Sequence, residues 1–251
     1  PAKVLNLSLG GSGNCSALYT DIVGQVNASG AVIVASAGNG AGHAVSEPAN
    51  CEGVIGVAGL RHAGSKVGYS DLGPEVSISA PAGNCVDDVP LACRYPILTT
   101  SNSGAFNPVA GAGGAIYTDA FNVTLGTSFS APLVAGAAAL MLSVRPELSP
   151  AEVRRFLRSS ARAFPSLPGV PACRAPSSAD QIECNCTTTT CGAGMLDAAT
   201  AVTAAANDPI VRIDVTPSQP AAGTAFTLTS AQTAVVAGRS IASYNWTLVS
   251  G

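Results

Sequence analysis

Two apolar runs on either side of one helical stretch, near the start of this 251-residue chain, constrain its fold more than any other feature. Val4-Leu5-Asn6-Leu7-Ser8-Leu9 reads as a strand ending at Gly10-Gly11, residues 16–28 carry a helical pattern closed by Gly30, and Ala31-Val32-Ile33-Val34-Ala35-Ser36 follows as a second strand. Strand, crossover helix and strand at this spacing form a βαβ unit, whose strands lie parallel. Both strands are nearly continuous apolar runs, as a sheet covered by helices on both faces requires. Val54-Ile55-Gly56-Val57-Ala58 and Val76-Ser77-Ile78-Ser79-Ala80-Pro81 extend the same pattern, and Phe121-Asn122-Val123-Thr124-Leu125 reads as a further short strand. Helices are expected over residues 128–144, over 149–163, and from Gly192 to about residue 205. In the second of these Ser149 caps, Pro150 takes the first position and Glu152 completes a capping box. The fold class is α/β, a three-layer arrangement about a parallel sheet.

The pattern changes at Asn207-Asp208-Pro209. Residues 210–215, 224–229 and 241–248 alternate as strands between Pro/Gly/Ser turns. They suggest the start of an antiparallel sandwich, immunoglobulin-like or polycystic-kidney-disease-like, which needs about seven strands and is therefore expected to be cut short. Two domains follow, 1–207 and 208–251.

With 47% hydrophobic and 11% charged residues, a disordered chain is excluded. A net charge of −3 gives neither the basic footprint of a nucleic-acid binder nor a polybasic membrane patch. The apolar stretch 128–144 is shorter than the roughly 20 residues of a bilayer span, so a monomer without membrane or nucleic-acid partners is expected. The eight cysteines lack the paired C-x-x-C units of common zinc modules. Disulfides are expected instead: Cys85 with Cys93, Cys15 with Cys51, and Cys173, Cys184, Cys186 and Cys191 among themselves in an order left open. That places the chain in an oxidising compartment, secreted or periplasmic.

Chemistry concentrates at Gly126-Thr127-Ser128-Phe129-Ser130-Ala131-Pro132. Here a strand gives way to a helix, and Ser128 falls in a first turn whose free N–H groups and dipole favour developing negative charge. By itself this could be an N-cap with Pro132 as a start signal. Gly11-Ser12-Gly13 invites a dinucleotide reading, but Ser16 stands at the third glycine position and no acid follows the next strand.

The serine segment closely resembles the nucleophile segment of the subtilisin-like serine proteases. Ala35-Ser36-Ala37-Gly38-Asn39-Gly40 and Ser8-Leu9-Gly10-Gly11 resemble two further segments of that family. Glu47-Pro48-Ala49-Asn50, Tyr69-Ser70-Asp71-Leu72-Gly73, Ser79-Ala80-Pro81-Ala82-Gly83 and Gly192-Ala193-Gly194-Met195-Leu196-Asp197-Ala198 follow in family order. The resemblance implies a partial subtilisin-like fold and a secreted endopeptidase that forms an acyl-enzyme on Ser128, with Asn39 donating to the oxyanion. It implies that Ser8, Leu9, Gly10, Ala35, Ser36, Ala37, Gly38 and Thr127 bind an extended polypeptide. The small pocket residues suit a large apolar side chain, and Glu47 near the mouth would admit basic groups.

A general-base His and an orienting Asp should precede Ser128 in Asp-Thr/Ser-Gly and His-Gly-Thr-His segments, and the chain contains neither. His43 and His62 stand in the wrong contexts to replace them. The chain is therefore expected to be a piece of a longer protease, inactive alone. A non-catalytic secreted adhesin is the alternative. The chemistry needs no cofactor and no metal-binding residue is assigned; structural calcium is frequent in the resembling family, with Asp87, Asp88 and Asp119 as the only candidates.

Overall fold

The computed structural model describes residues 2–84, 95–119, 125–219, 221–236, 238–245 and 247. In chain order they form β1 (Val4–Leu7), α1 (Ala17–Ala28), β2 (Val32–Ser36), β3 (Val54–Leu60), β4 (Val76–Pro81) and a hairpin of β5 (Thr99–Asn102) and β6 (Ala115–Thr118). Then follow α2 (Thr127–Val144), α3 (Pro150–Ser159), α4 (Ala198–Asn207), β7 (Asp214–Thr216) and β8 (Thr227–Thr229). Strands β1 to β4 lie side by side in that order, all parallel, with Val4 opposite Val32, Ile33 opposite Val54 and Val57 opposite Ile78.

Successive residues of a strand point to opposite faces, and this sorts the continuous apolar runs into two cores. Val32, Val34, Ile55, Val57, Ile78 and Ala80 pack with α2, α3 and α4, where Val134, Met141, Phe156 and Leu157 fill the layer. Ile33, Ala35, Val54, Ala58 and Val76 pack with Val23 of α1 and with Val45, Ala49 and Cys51. Three layers result. The apolarity of α2 is that of a core helix, with Ala131, Val134, Ala138 and Met141 inaccessible to water.

Two helices differ from expectation. α3 ends at Ser159 because the chain then turns to pair with an incoming segment, Arg162 and Met195 exchanging backbone hydrogen bonds of 2.9 and 2.8 Å. The last helix begins at Ala198, not Gly192. Gly192 (φ 81°) and Gly194 (φ 154°) shape a non-helical segment that lies along β4, where Ser79 N–H donates to Gly194 and Leu196 N–H to Ser79.

The disulfide Cys15–Cys51 forms as expected, and the remaining described cysteines pair as Cys173–Cys184 and Cys186–Cys191. The expected Cys85–Cys93 pair, the calcium candidates Asp87 and Asp88 and most of the strand expected at 121–125 lie outside the described residues. Asp119 is exposed at the end of the hairpin. Beyond α4, β7 and β8 form a two-stranded antiparallel pair, and Ile210 is buried against Ala234. Residues 241–245 and 247, expected in a third strand, form none.

Candidate active site

Gly126 sets the turn into α2. Its φ of 137° is open to glycine and strained for other residues, and its N–H donates to Ala82 O at 2.9 Å and to the Tyr69 hydroxyl at 3.0 Å. The helix starts at Thr127, so Ser128 is its second residue, half-buried, with a backbone N–H in the turn that has no intrahelical acceptor. Pro132 therefore stands in the second turn, not the first. It has no N–H to give the Ser128 carbonyl, and the Ser8 hydroxyl donates there instead at 2.7 Å. Ser130 reaches back to β4, its hydroxyl 3.1 Å from the carbonyls of both Ala80 and Pro81.

Asn39 follows β2 at the carboxyl edge of the sheet, where open α/β folds gather ligands. Thr127 fixes its orientation. The Thr127 N–H lies 3.0 Å and its Oγ1 2.9 Å from Asn39 Oδ1. A backbone N–H can only donate, so the amide atom facing it is the acceptor and Nδ2 is left to donate; Nδ2 and the Ser128 nitrogen both lie within 3.7 Å of the point where a Cβ on Gly126 would stand. Thr127 Oγ1 also accepts the Gly38 N–H at 3.3 Å, which ties the two loops together.

A pocket of about 240 Å³ opens beside these groups. Of the residues expected to bind substrate, Leu9, Gly10, Ser36, Ala37, Gly38 and Thr127 line it together with Ser128 and Asn39. Ala35 does not. It points to the α1 side and is fully buried there, because alternation along β2 turns it into the core. Ser8 is a strut, holding the Ser128 carbonyl rather than lining the pocket. Glu47 is also absent from the lining; its carboxylate accepts the N–H of Ser16, the N-cap of α1, at 3.0 Å.

The acid that lines the pocket is Asp71, 6% exposed. Its N–H donates to Gly38 O at 3.0 Å and its Oδ1 accepts the His43 N–H at 3.0 Å. Burial pushes its carboxyl up from the ordinary value, against backbone N–H groups of Gly40 and His43 and the charges of His43 and Lys66. Lys66 is fully buried, with Nζ donating to the carbonyls of Val67, Gly68 and Ser70 at 2.9–3.0 Å. Asp71 lay in view within Tyr69-Ser70-Asp71-Leu72-Gly73, but only the fold brings that turn beneath Gly38.

The far side of the Asn39 loop is held by the arch that Cys173–Cys184 closes. Gln181, 7% exposed, donates its N–H to Ala41 O at 2.7 Å and Nε2 to Gly42 O at 3.3 Å. His43 Nε2 lies 2.9 Å from Asp180 Oδ1. His62 is stacked on Tyr95 with ring centroids 3.5 Å apart. Neither histidine lines the pocket.

The subtilase family (peptidase S8) matches residues 1–194. An extracellular protease of Xanthomonas campestris pv. campestris is 38% identical over 209 residues, 82% of this chain and 29% of that protein. Subtilisin DY of Bacillus licheniformis is 33% identical over 162 residues, 63% of this chain and 49% of that protein. Among solved structures, a protease from Pseudoalteromonas arctica PAMC 21717 superposes with a TM-score of 0.65 at 34% identity, covering 82% of this chain and 52% of that one. The prenylagaramide maturation protease PagA, 23% identical, shares the fold with a TM-score of 0.55 over 80% of this chain and 62% of its own. The chain thus spans under a third of the Xanthomonas protein and about half of the other two more similar relatives. A parallel sheet with a serine at the start of its core helix, an asparagine fixed beside it, and a family match across 1–194 lead to one conclusion: this chain belongs to the subtilase family.

Proposed function

We propose that the chain supplies the nucleophile, the oxyanion hole and part of the substrate cleft of a secreted serine endopeptidase. Ser128 Oγ attacks a peptide carbonyl, the oxyanion takes hydrogen bonds from Asn39 Nδ2 and the Ser128 N–H, and loss of the amine leaves an acyl-enzyme that water hydrolyses. The observation that carries this reading is the double anchoring of Asn39 Oδ1 by Thr127, which leaves Nδ2 to donate. The segment 8–10, beyond the end of the β1–β2 ladder at Leu7, offers its backbone to an extended polypeptide. No cofactor enters these steps.

The Ser128 proton needs a base. Neither His43 nor His62 lines the pocket beside Ser128, so the base and its orienting acid come from a part of the enzyme other than these residues. The outer edge of β1 and the exposed Leu133 and Leu140 of α2 suit the packing of such a part. The three disulfides among the described residues favour an oxidising compartment, in keeping with relatives named extracellular proteases. The antiparallel β7–β8 pair supports a separate C-terminal β module, immunoglobulin-like or polycystic-kidney-disease-like.

The test is covalent labelling of the full-length protein by a serine-reactive phosphonate. Labelling is expected, and Ser128→Ala is expected to abolish it; labelling that survives the substitution overturns the assignment. The isolated 251 residues are expected to hydrolyse peptides far more slowly than the full-length protein.

A further inference from the structure

We infer that Asp71 makes the pocket beside Ser128 a receptor for a basic side chain, so that the enzyme cleaves after lysine or arginine. The inference rests on Ser128 and Asn39 acting as proposed above, since these groups place the attacked carbonyl at the pocket's mouth. The walls are built from small residues, among them Gly10, Gly11, Ala37 and Gly38, and among the described residues Asp71 is the only ionisable side chain in the lining. Its carboxylate stands directly against Gly38. A Cβ at residue 38 would lie 2.3 Å from Asp71 Oδ2, and the φ of 118° there also favours glycine. The bare Cα of Gly38 therefore leaves room for the carboxylate at the pocket wall.

The charges of His43 and Lys66 act on that carboxylate without an ion-pair contact to it. Among the described residues no salt bridge reaches Asp71: the Lys66 ammonium is engaged by three carbonyls, and the His43 imidazole by Asp180. Backbone N–H groups hold one side of it, with Oδ1 accepting from His43. An apolar side chain entering the pocket would remove the remaining water from an ionised carboxylate without replacing it, which is costly. An ammonium or guanidinium would instead meet a fixed acceptor in a site of low dielectric, where a charge-assisted hydrogen bond is strongest. A pocket of about 240 Å³ has space for a long unbranched side chain.

The competing role for Asp71 is structural: it braces the Gly38–His43 loop and has no bearing on substrate choice. The experiment separates the two by a ratio. Full-length protein is assayed on peptidyl p-nitroanilides that differ only at the residue preceding the anilide: Arg, Lys, Leu or Phe. The expected kcat/KM for Arg and Lys exceeds that for Leu and Phe by about 100-fold or more, and Asp71→Asn brings the Arg-to-Leu ratio close to unity. A native preference for Leu or Phe overturns the inference, and so does a ratio that Asp71→Asn leaves unchanged. If the variant does not fold, benzamidine is expected to slow phosphonate labelling of Ser128 in the native protein while the uncharged benzamide does not; equal effects of the two overturn it. Failure of the phosphonate to label Ser128, with no anilide hydrolysed, would instead overturn the catalytic reading itself.

Discussion

In the proposed mechanism Asn39 acts through its amide nitrogen because Thr127 occupies its oxygen, and such small fixations set what this edge of the sheet can do. Asn39→Ala is expected to lower kcat of the full-length enzyme by about 10²–10³-fold with little change in KM, since the donor serves the transition state. Steady-state kinetics on a single peptide substrate decide it; a change confined to KM would contradict the oxyanion role. Ser8→Ala leaves the Ser128 carbonyl without the donor that compensates for Pro132, at a cost of about 1–3 kcal/mol in unfolding free energy. Gly38→Ala meets both an unfavourable φ and the Asp71 carboxylate, so it should lower the thermal midpoint more than Ala substitution at Gly24, whose added Cβ meets nothing.

The elements holding these residues differ in how they are secured. α2 is pinned by burial: Met141 is fully inaccessible, and Met141→Ala is expected to cost about 2–5 kcal/mol by denaturant titration. α3 relies on its capping box, in which Ser149 Oγ accepts the Glu152 N–H at 3.3 Å and Glu152 Oε2 accepts the Ser149 N–H at 2.8 Å. The Asn39 loop has little core of its own, and the arch of Gln181 and Asp180 holds it from outside. Replacing Cys173 and Cys184 by serine together is expected to speed amide exchange at Gln181, whose N–H bonds Ala41, while the β2 and β3 amides keep their protection. Unchanged exchange at Gln181 would mean that the arch holds without its disulfide.

Across the whole molecule, two carboxylates join distant parts of the chain. Glu183 meets Arg61 and accepts from Ser65 at 2.6 Å, while Glu152 meets Arg212 at 2.8 Å and links α3 to the segment before β7. Burial opposes the ionisation of each. Hydrogen bonds from Arg61 and Ser65 in one case, and from Ser149 and Arg212 in the other, outweigh it and hold both carboxyls below their ordinary 4.5. A depressed folded value means that the unfolded chain binds protons first, so this stability is complete above about pH 4.5 and is lost as pH falls through the folded values. Asp71 has the opposite sign: burial raises its value, so its protonation favours the folded state as pH falls. Thermal midpoints measured from about pH 7 to about pH 3 should therefore fall with acid, and less steeply in Glu183→Gln. An equal slope in that variant would remove Glu183 from the account.

How far the sequence reaches follows from the range of the interactions involved. The runs 32–36 and 54–58 declared a covered parallel sheet, and Ser149-Pro150-Ala151-Glu152 declared a helix start, because apolar periodicity and capping act between near neighbours. The position of Ser128 at the head of α2 was legible for the same reason. What lies against it was not. Alternation within β2 sends Ala35 into the core, an N-cap takes Glu47 from the pocket, and the return of the chain after β3 sets Asp71 beneath Gly38. The pairing of Cys173 with Cys184 and of Cys186 with Cys191 was settled likewise by where the fold leaves four cysteines close in sequence. Local chemistry determined the elements and the proposed nucleophile; which acid lines the pocket beside it was decided only by contacts between residues far apart in the chain, whose partners no local pattern names.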